Sequence, residues 1–136
     1  MSKVLIVEDD LMIADYLEEI LEDAGYEVCG IASSVADAIA LGEQHDPDLG
    51  VIDLRLSNGE LGTQVAAALC SRGGFGVLYA TGNPGHELLK EAAGEGCIAK
   101  PYTAASVVSA LRIVGERISK LPVSSAFPLG FSLLRA

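Results

Sequence analysis

A doubly wound α/β fold, a five-stranded parallel sheet with helices on both faces, is predicted by three features of the 136-residue chain. Apolar strand-like runs alternate with helical periodicity five times, which calls for parallel strands joined by right-handed crossovers. The leading run, Val4-Leu5-Ile6-Val7, is continuously apolar, as in a strand buried on both faces. Polar residues then stand where strands stop: Glu8-Asp9, Asp53, Thr81 and Lys100. In a parallel sheet those carboxyl ends share one edge, where such folds bind ligands.

The elements follow in order. After Val7 and the acids Glu8-Asp9-Asp10, the spacing of Ile13, Leu17, Ile20, Leu21 and Ala24 predicts a helix stopped by Gly25, with Asp9 or Asp10 as its cap. Residues 26–32 form a second, weaker strand. Ser34-x-x-Asp37 has the shape of a capping box, and Val35, Ala38 and Ile39 mark the buried face of the next helix. Pro47 punctuates a turn into Leu49-Gly50-Val51-Ile52-Asp53, a short buried strand that ends on a carboxylate. Leu61, Val65, Ala68 and Leu69 predict a third helix, ended by Gly73-Gly74, before a fourth strand over 75–80. Asn83-Pro84 reads as the start of a short, Gly-flanked fourth helix. Gly96-Cys97-Ile98-Ala99 gives the fifth strand, and Val107, Val108, Leu111, Val114 and Ile118 share one side of a last helix over about 103–119.

Composition limits what the chain does. A formal charge of −10 argues against unaided binding to DNA, RNA or an anionic membrane. Cys29, Cys70 and Cys97 have no metal-ligand spacing and read as reduced thiols. No targeting or transmembrane stretch precedes the first strand, so the expectation is a soluble, cytoplasmic protein.

Glu8, Asp9 and Asp53 brought together would repel one another unless a proton or a hard cation intervenes, and such oxygen ligands suit Mg²⁺ or Mn²⁺. Lys100 would add a compact positive charge and Thr81 a hydroxyl for phosphoryl oxygens. A carboxylate held in that setting is a nucleophile toward phosphorus, forming an aspartyl phosphate.

Val7-Glu8-Asp9-Asp10, Ile52-Asp53, Ala80-Thr81-Gly82 and Ala99-Lys100-Pro101 together resemble the receiver domain of bacterial two-component response regulators, over about residues 3–120. The resemblance implies a flavodoxin-like sheet of order 2-1-3-4-5. It makes Asp53 the phosphoacceptor, Asp9 the direct Mg²⁺ ligand and Glu8 the second acid of the pair. Arg55 would lend its backbone carbonyl to the metal, with Thr81 as the switch hydroxyl and Lys100 as the conserved lysine. It also implies a sensor histidine kinase or phosphotransfer protein as donor, and self-catalysed phosphotransfer and dephosphorylation rather than action on a separate substrate. Two departures stand out. Cys97 occupies the position of the family's swinging aromatic, and Ser57-Asn58-Gly59 replaces the usual proline after the acceptor. Tyr79-Ala80-Thr81-Gly82 is similar to an aromatic-Ala-Thr-Gly motif in a subset of single-domain receivers that also lack that aromatic.

Two other classes fit less well. An aspartate-nucleophile phosphohydrolase needs a second Asp two residues after the first, where this chain has Arg55. A flavodoxin-like cofactor binder would seat phosphate after the first strand, where Glu8-Asp9-Asp10 would repel it. His45 and His86 lie near predicted helix ends without a partner motif. Residues 121–136 are too short for an output domain, so the expectation is a stand-alone receiver or adaptor that signals to a downstream protein by contact, with a homodimer allowed. Pro122, Pro128 and Gly130 forbid a long helix there, yet Phe127, Leu129, Phe131, Leu133 and Leu134 are apolar. That tail is expected to dock in extended form on the chain's own last helices or on a neighbouring subunit.

Overall fold

Val4 and Ile6 point to one side of the first strand and Leu5 and Val7 to the other, so a strand with this sequence needs cover on both faces. The computed structural model, which describes residues 2–123 and 126–135, supplies it. Strands β1 (Lys3–Val7), β2 (Glu27–Ala32), β3 (Leu49–Asp53), β4 (Gly76–Thr81) and β5 (Gly96–Ala99) alternate with helices α1 (Leu11–Asp23), α2 (Val35–His45), α3 (Gly62–Cys70) and α4 (Ala104–Ile118). A short strand β6 (Phe131–Leu133) closes the series. The sheet order is β2-β1-β3-β4-β5-β6, with the first five parallel and β6 antiparallel to β5.

Val4, Ile6, Val51, Leu78 and Ile98 pack against Leu17 and Leu21 of α1 and Val107, Leu111 and Val114 of α4. Leu5, Val7, Ile52, Val77 and Tyr79 pack on the other face against Ala38 of α2 and Val65 and Leu69 of α3. Capping follows the sequence. The Asp10 carboxylate accepts from the Met12 and Ile13 amides to start α1, and Ser34 Oγ accepts from the Asp37 amide to start α2. Because Asp10 is the cap, Glu8 and Asp9 are left for other work.

Two expectations need correction. The segment between β4 and β5 contains no α-helix; one 3₁₀ turn, Glu87–Leu89, stands in its place. Asn83 Oδ1 accepts from the Gly85 amide in a local turn instead of capping a longer helix. The carbonyls that a last helical turn would use are taken by other donors: Tyr79 Oη donates to the Ala93 carbonyl at 2.5 Å, and the Arg135 guanidinium donates to those of Ala92 and Gly94. With Gly82, Gly85 and Gly94 inside so short a segment, helix nucleation is not recovered.

The expected order of five parallel strands holds, and a sixth, antiparallel strand extends the sheet at the β5 edge. Part of the tail, expected on the last helices or a neighbouring subunit, pairs instead with the edge of β5, matching Phe131 to Ile98, Ser132 to Cys97 and Leu133 to Gly96. α4 ends at Ile118, and Lys120 takes a left-handed φ of 59° that turns the chain away from the helix axis.

α3 approaches β3 so closely that a Cβ on Gly62 would fall inside contact distance of the Asp53 carbonyl. Gly62→Ala should therefore push α3 off the sheet just behind the end of β3. The expected loss is about 1–3 kcal/mol, read as a lower urea midpoint at unchanged slope.

Candidate functional site

Each of the polar strand ends arrives at the same edge because the parallel register aligns them. Val7 pairs with Ile52, Asp53 with Ala80, and Thr81 with Ala99, so the next residues along β1 and β5, Glu8 and Lys100, flank Asp53 and Thr81. Glu8, Asp9 and Asp53 each present a carboxylate oxygen, and these oxygens lie within 4.8 Å of one another. Lys100 Nζ lies 3.0 Å from Glu8 Oε1 and 3.3 Å from Asp53 Oδ1. The Lys100 amide donates to the Thr81 carbonyl at 2.8 Å, which fixes β5 beside β4 where the lysine leaves the strand. The Lys100–Pro101 peptide is cis.

Burial decides the electrostatics. Glu8 is buried, and desolvation lifts its pKa above the ordinary carboxylate range despite hydrogen bonds from Lys100 and the Asp10 amide. Asp9 is held below its ordinary range, chiefly because Ser57 Oγ donates to its Oδ2 at 2.5 Å. Burial alone would lower the Lys100 pKa, but the Glu8 hydrogen bond and the Asp53 and Glu8 charges carry it upward. Tyr102 is pushed up to about 12, first by burial and then by the charges of Glu8 and Asp53.

Thr81 is buried, and its Oγ1 accepts from the Asn83 amide at 3.0 Å, directed into the loop rather than at a carboxylate. Arg55 forms an isolated bridge with Leu61. The bonds of that bridge run from the flanking Leu56 and Gly62 amides to the Glu60 and Leu54 carbonyls, so Arg55's own carbonyl takes no part in it. Two partners escaped the sequence reading. Ser57 reads in the sequence only as part of a loop lacking proline; its hydroxyl four residues past Asp53 is the available sign. His86 is not partnerless: its Nε2 lies 2.6 Å from Arg55 Nη2, while its Nδ1 faces the Leu88 amide. A neutral imidazole has one acceptor nitrogen, so the ring accepts from the Arg55 guanidinium through Nε2 or from the Leu88 amide through Nδ1, according to its tautomer.

This arrangement suits a hard divalent cation: three carboxylates converge, and among the described residues the ammonium that pairs with them, that of Lys100, touches two of the three. Removing that ammonium should be costly. Breaking one side of a buried pair costs about 3–5 kcal/mol, and the 24 % exposure of the Lys100 side chain lowers this to about 2–4 kcal/mol for Lys100→Ala. The unrelieved repulsion raises the carboxyl pKa values of the folded state. The deficit should therefore grow as pH rises through the carboxylate range and shrink in acid, as read by urea unfolding at several pH values.

Comparison with known proteins follows the same lines. A family model described as the response regulator receiver domain matches residues 4–112. The transcriptional regulatory protein PdtaR of Mycobacterium tuberculosis is 28% identical over 122 residues, covering 88% of this chain and 59% of that protein. The phyllosphere-induced regulator PhyR of Methylorubrum extorquens is 31% identical over 108 residues, covering 78% of this chain and 40% of that one. The chain thus spans less than two thirds of either relative. A CheY-like receiver domain protein from Methanospirillum hungatei superimposes with a TM-score of 0.79 at 27% identity, covering 88% of this chain and 98% of that one. With the sheet order, the aligned strand ends and the match over residues 4–112 in agreement, the chain belongs to the response regulator receiver family.

Proposed function

We propose that this chain accepts a phosphoryl group on Asp53 from a phosphohistidine donor, a sensor histidine kinase or a phosphotransfer protein, and passes the signal on by contact with a downstream protein. The observation that carries this reading is the Asp53 carboxylate at a strand end, 3.3 Å from the Lys100 ammonium and grouped with Glu8 and Asp9. In the step, an Asp53 oxygen attacks phosphorus, the P–N bond to the donor imidazole breaks, and the electron pair returns to that ring. Lys100 lies where it can pair with a phosphoryl oxygen. Glu8, Asp9, Asp53 and the Arg55 carbonyl would hold Mg²⁺ or Mn²⁺. Such a cation supplies charge neutralisation for the incoming phosphoryl group. The phosphohydrolase alternative lacks its acid, because Arg55 follows Asp53 by two residues.

The surface beside the site supports a protein donor. Leu11 and Met12, at the start of α1, are 67% and 84% exposed. They adjoin an apolar cleft of about 350 Å³ lined by Ile13, Tyr16, Lys100, Pro101 and Tyr102. Apolar side chains left in water next to the reacting carboxylate fit a partner that docks there. The charge of −10 disfavours nucleic acid as that partner, and among the described residues no helix is long and apolar enough to cross a membrane.

Asp53→Asn should abolish the base-labile phosphate label that the intact chain acquires from a small acyl phosphate or a phosphorylated kinase. Asp9→Ala, or excess chelator, should remove most labelling while leaving the fold intact by circular dichroism. Undiminished labelling of Asp53→Asn would sink the acceptor assignment, and full-rate labelling in chelator would sink the metal.

Signal output is proposed to begin with Thr81 leaving Asn83 for a phosphoryl oxygen, which would reorder the segment 82–95 rather than move a helix. Cys97 is too small to act as a wedge. Acyl phosphate should therefore change amide exchange over 82–95 in the intact chain and in Cys97→Ala, but much less in Thr81→Ala. Equal loss in both variants would route the signal through Cys97.

A further inference from the structure

Strand β6 covers the β5 edge by a narrow set of contacts. Three residues pair with it, the Ala99 amide donates to the Gly130 carbonyl, and the Leu134 amide donates to the Glu95 carbonyl. The seat is made for this segment. Gly96 has no Cβ, and one there would run into the Phe131 ring; Cys97 Sγ lies 3.3 Å from Ser132 Oγ; Phe131 itself is buried. The tether is a different matter. Leu121 and Leu129 are 59% and 95% exposed, and Phe127, which packs edge-to-face on the Phe131 ring, is still 50% exposed, so apolar surface of all three stays in water when the tail folds back on its own chain. Pro122 and Pro128 keep the tether from coiling into a helix.

We propose that two copies of this chain pair by exchanging tails, each laying its β6 along the β5 edge of the other. A second copy is the occupant the seat fits, because every contact of Phe131, Ser132 and Arg135 is reproduced when the same segment arrives from another chain. The ten residues between Lys120 and Phe131 reach about 35 Å when extended, enough to cross to a neighbour. Exchange sets two tethers side by side, where Leu121, Phe127 and Leu129 can cover one another. Charge favours the same surface. In a chain of net charge −10, residues 121–136 carry a single charged side chain, Arg135, so pairing through tails keeps the acidic bodies apart. The inference stands apart from the phosphoryl-transfer reading, since no residue of the carboxylate cluster takes part in it.

The test uses full chains in which Cys29 and Cys70 are changed to Ser, leaving position 97 as the one native thiol. One copy carries Ser132→Cys with Cys97→Ala, and the other keeps Cys97 and Ser132. Mixed at high concentration under mild oxidation, they should give a disulfide-linked dimer joining position 132 of one to Cys97 of the other. The yield should be severalfold above a control in which the tail thiol is placed by Leu129→Cys. Gly96→Val in the Cys97-bearing copy should reduce the yield to that control, because it fills the seat of Phe131. A chain with both Cys97 and Ser132→Cys, oxidised when dilute, should close on itself and report that the pairing forms. Intramolecular closure without a mixed disulfide would show that tails stay home and would overturn the proposal. So would a mixed product no greater than the Leu129→Cys control.

Discussion

Three carboxylate oxygens within 4.8 Å, answered by one ammonium, is the constraint on which the rest of this molecule depends. Left alone, Glu8, Asp9 and Asp53 would push the ends of β1 and β3 apart. What holds them is distributed: Lys100 bridges Glu8 and Asp53, Ser57 donates to Asp9, and the Asp10 amide donates to Glu8. The apolar strands supply the remaining force, since Val4 to Val7 and Leu49 to Ile52 cannot separate without exposing both faces of the sheet. A tightly packed sheet thus keeps a repulsive cluster in place, and that repulsion is what a hard cation would relieve.

The same sheet explains the unusual side of the domain. β5 is the shortest of the parallel strands and carries Gly96, Cys97 and Ala99, a row of small side chains at the edge. An uncovered edge of this kind is a liability in solution. Here the tail covers it, and the cover is linked to the loss of the helix between β4 and β5. Arg135, just past β6, donates to the Ala92 and Gly94 carbonyls, and Tyr79 donates to that of Ala93. The residues preceding β5 are therefore held by the tail and by β4 rather than by a helical ladder of their own. The position that carries a swinging aromatic elsewhere in the family faces Ser132 of the tail instead.

Much of this was legible in the chain itself. Continuous apolar runs specify buried parallel strands, and helical spacing placed α1, α2, α3 and α4 to within a few residues, because burial of one face is a local pattern with a fixed period. The convergence of Glu8, Asp9, Asp53, Thr81 and Lys100 was legible too: once the strands are parallel, residues that follow each strand must meet at one edge. Tertiary structure alone decided the rest. Asn83-Pro84 reads as a helix start, but a short Gly-rich segment forms a helix only if its carbonyls are not claimed elsewhere, and Tyr79 and Arg135, 14 and 41 or more residues away, claim them. Ser57 on Asp9 and Phe131 over Gly96 were hidden for the same reason. Periodicity reports which face a residue presents to its neighbours in sequence, whereas a hydrogen bond or a ring packed from a distant segment depends on where the whole sheet brings that segment.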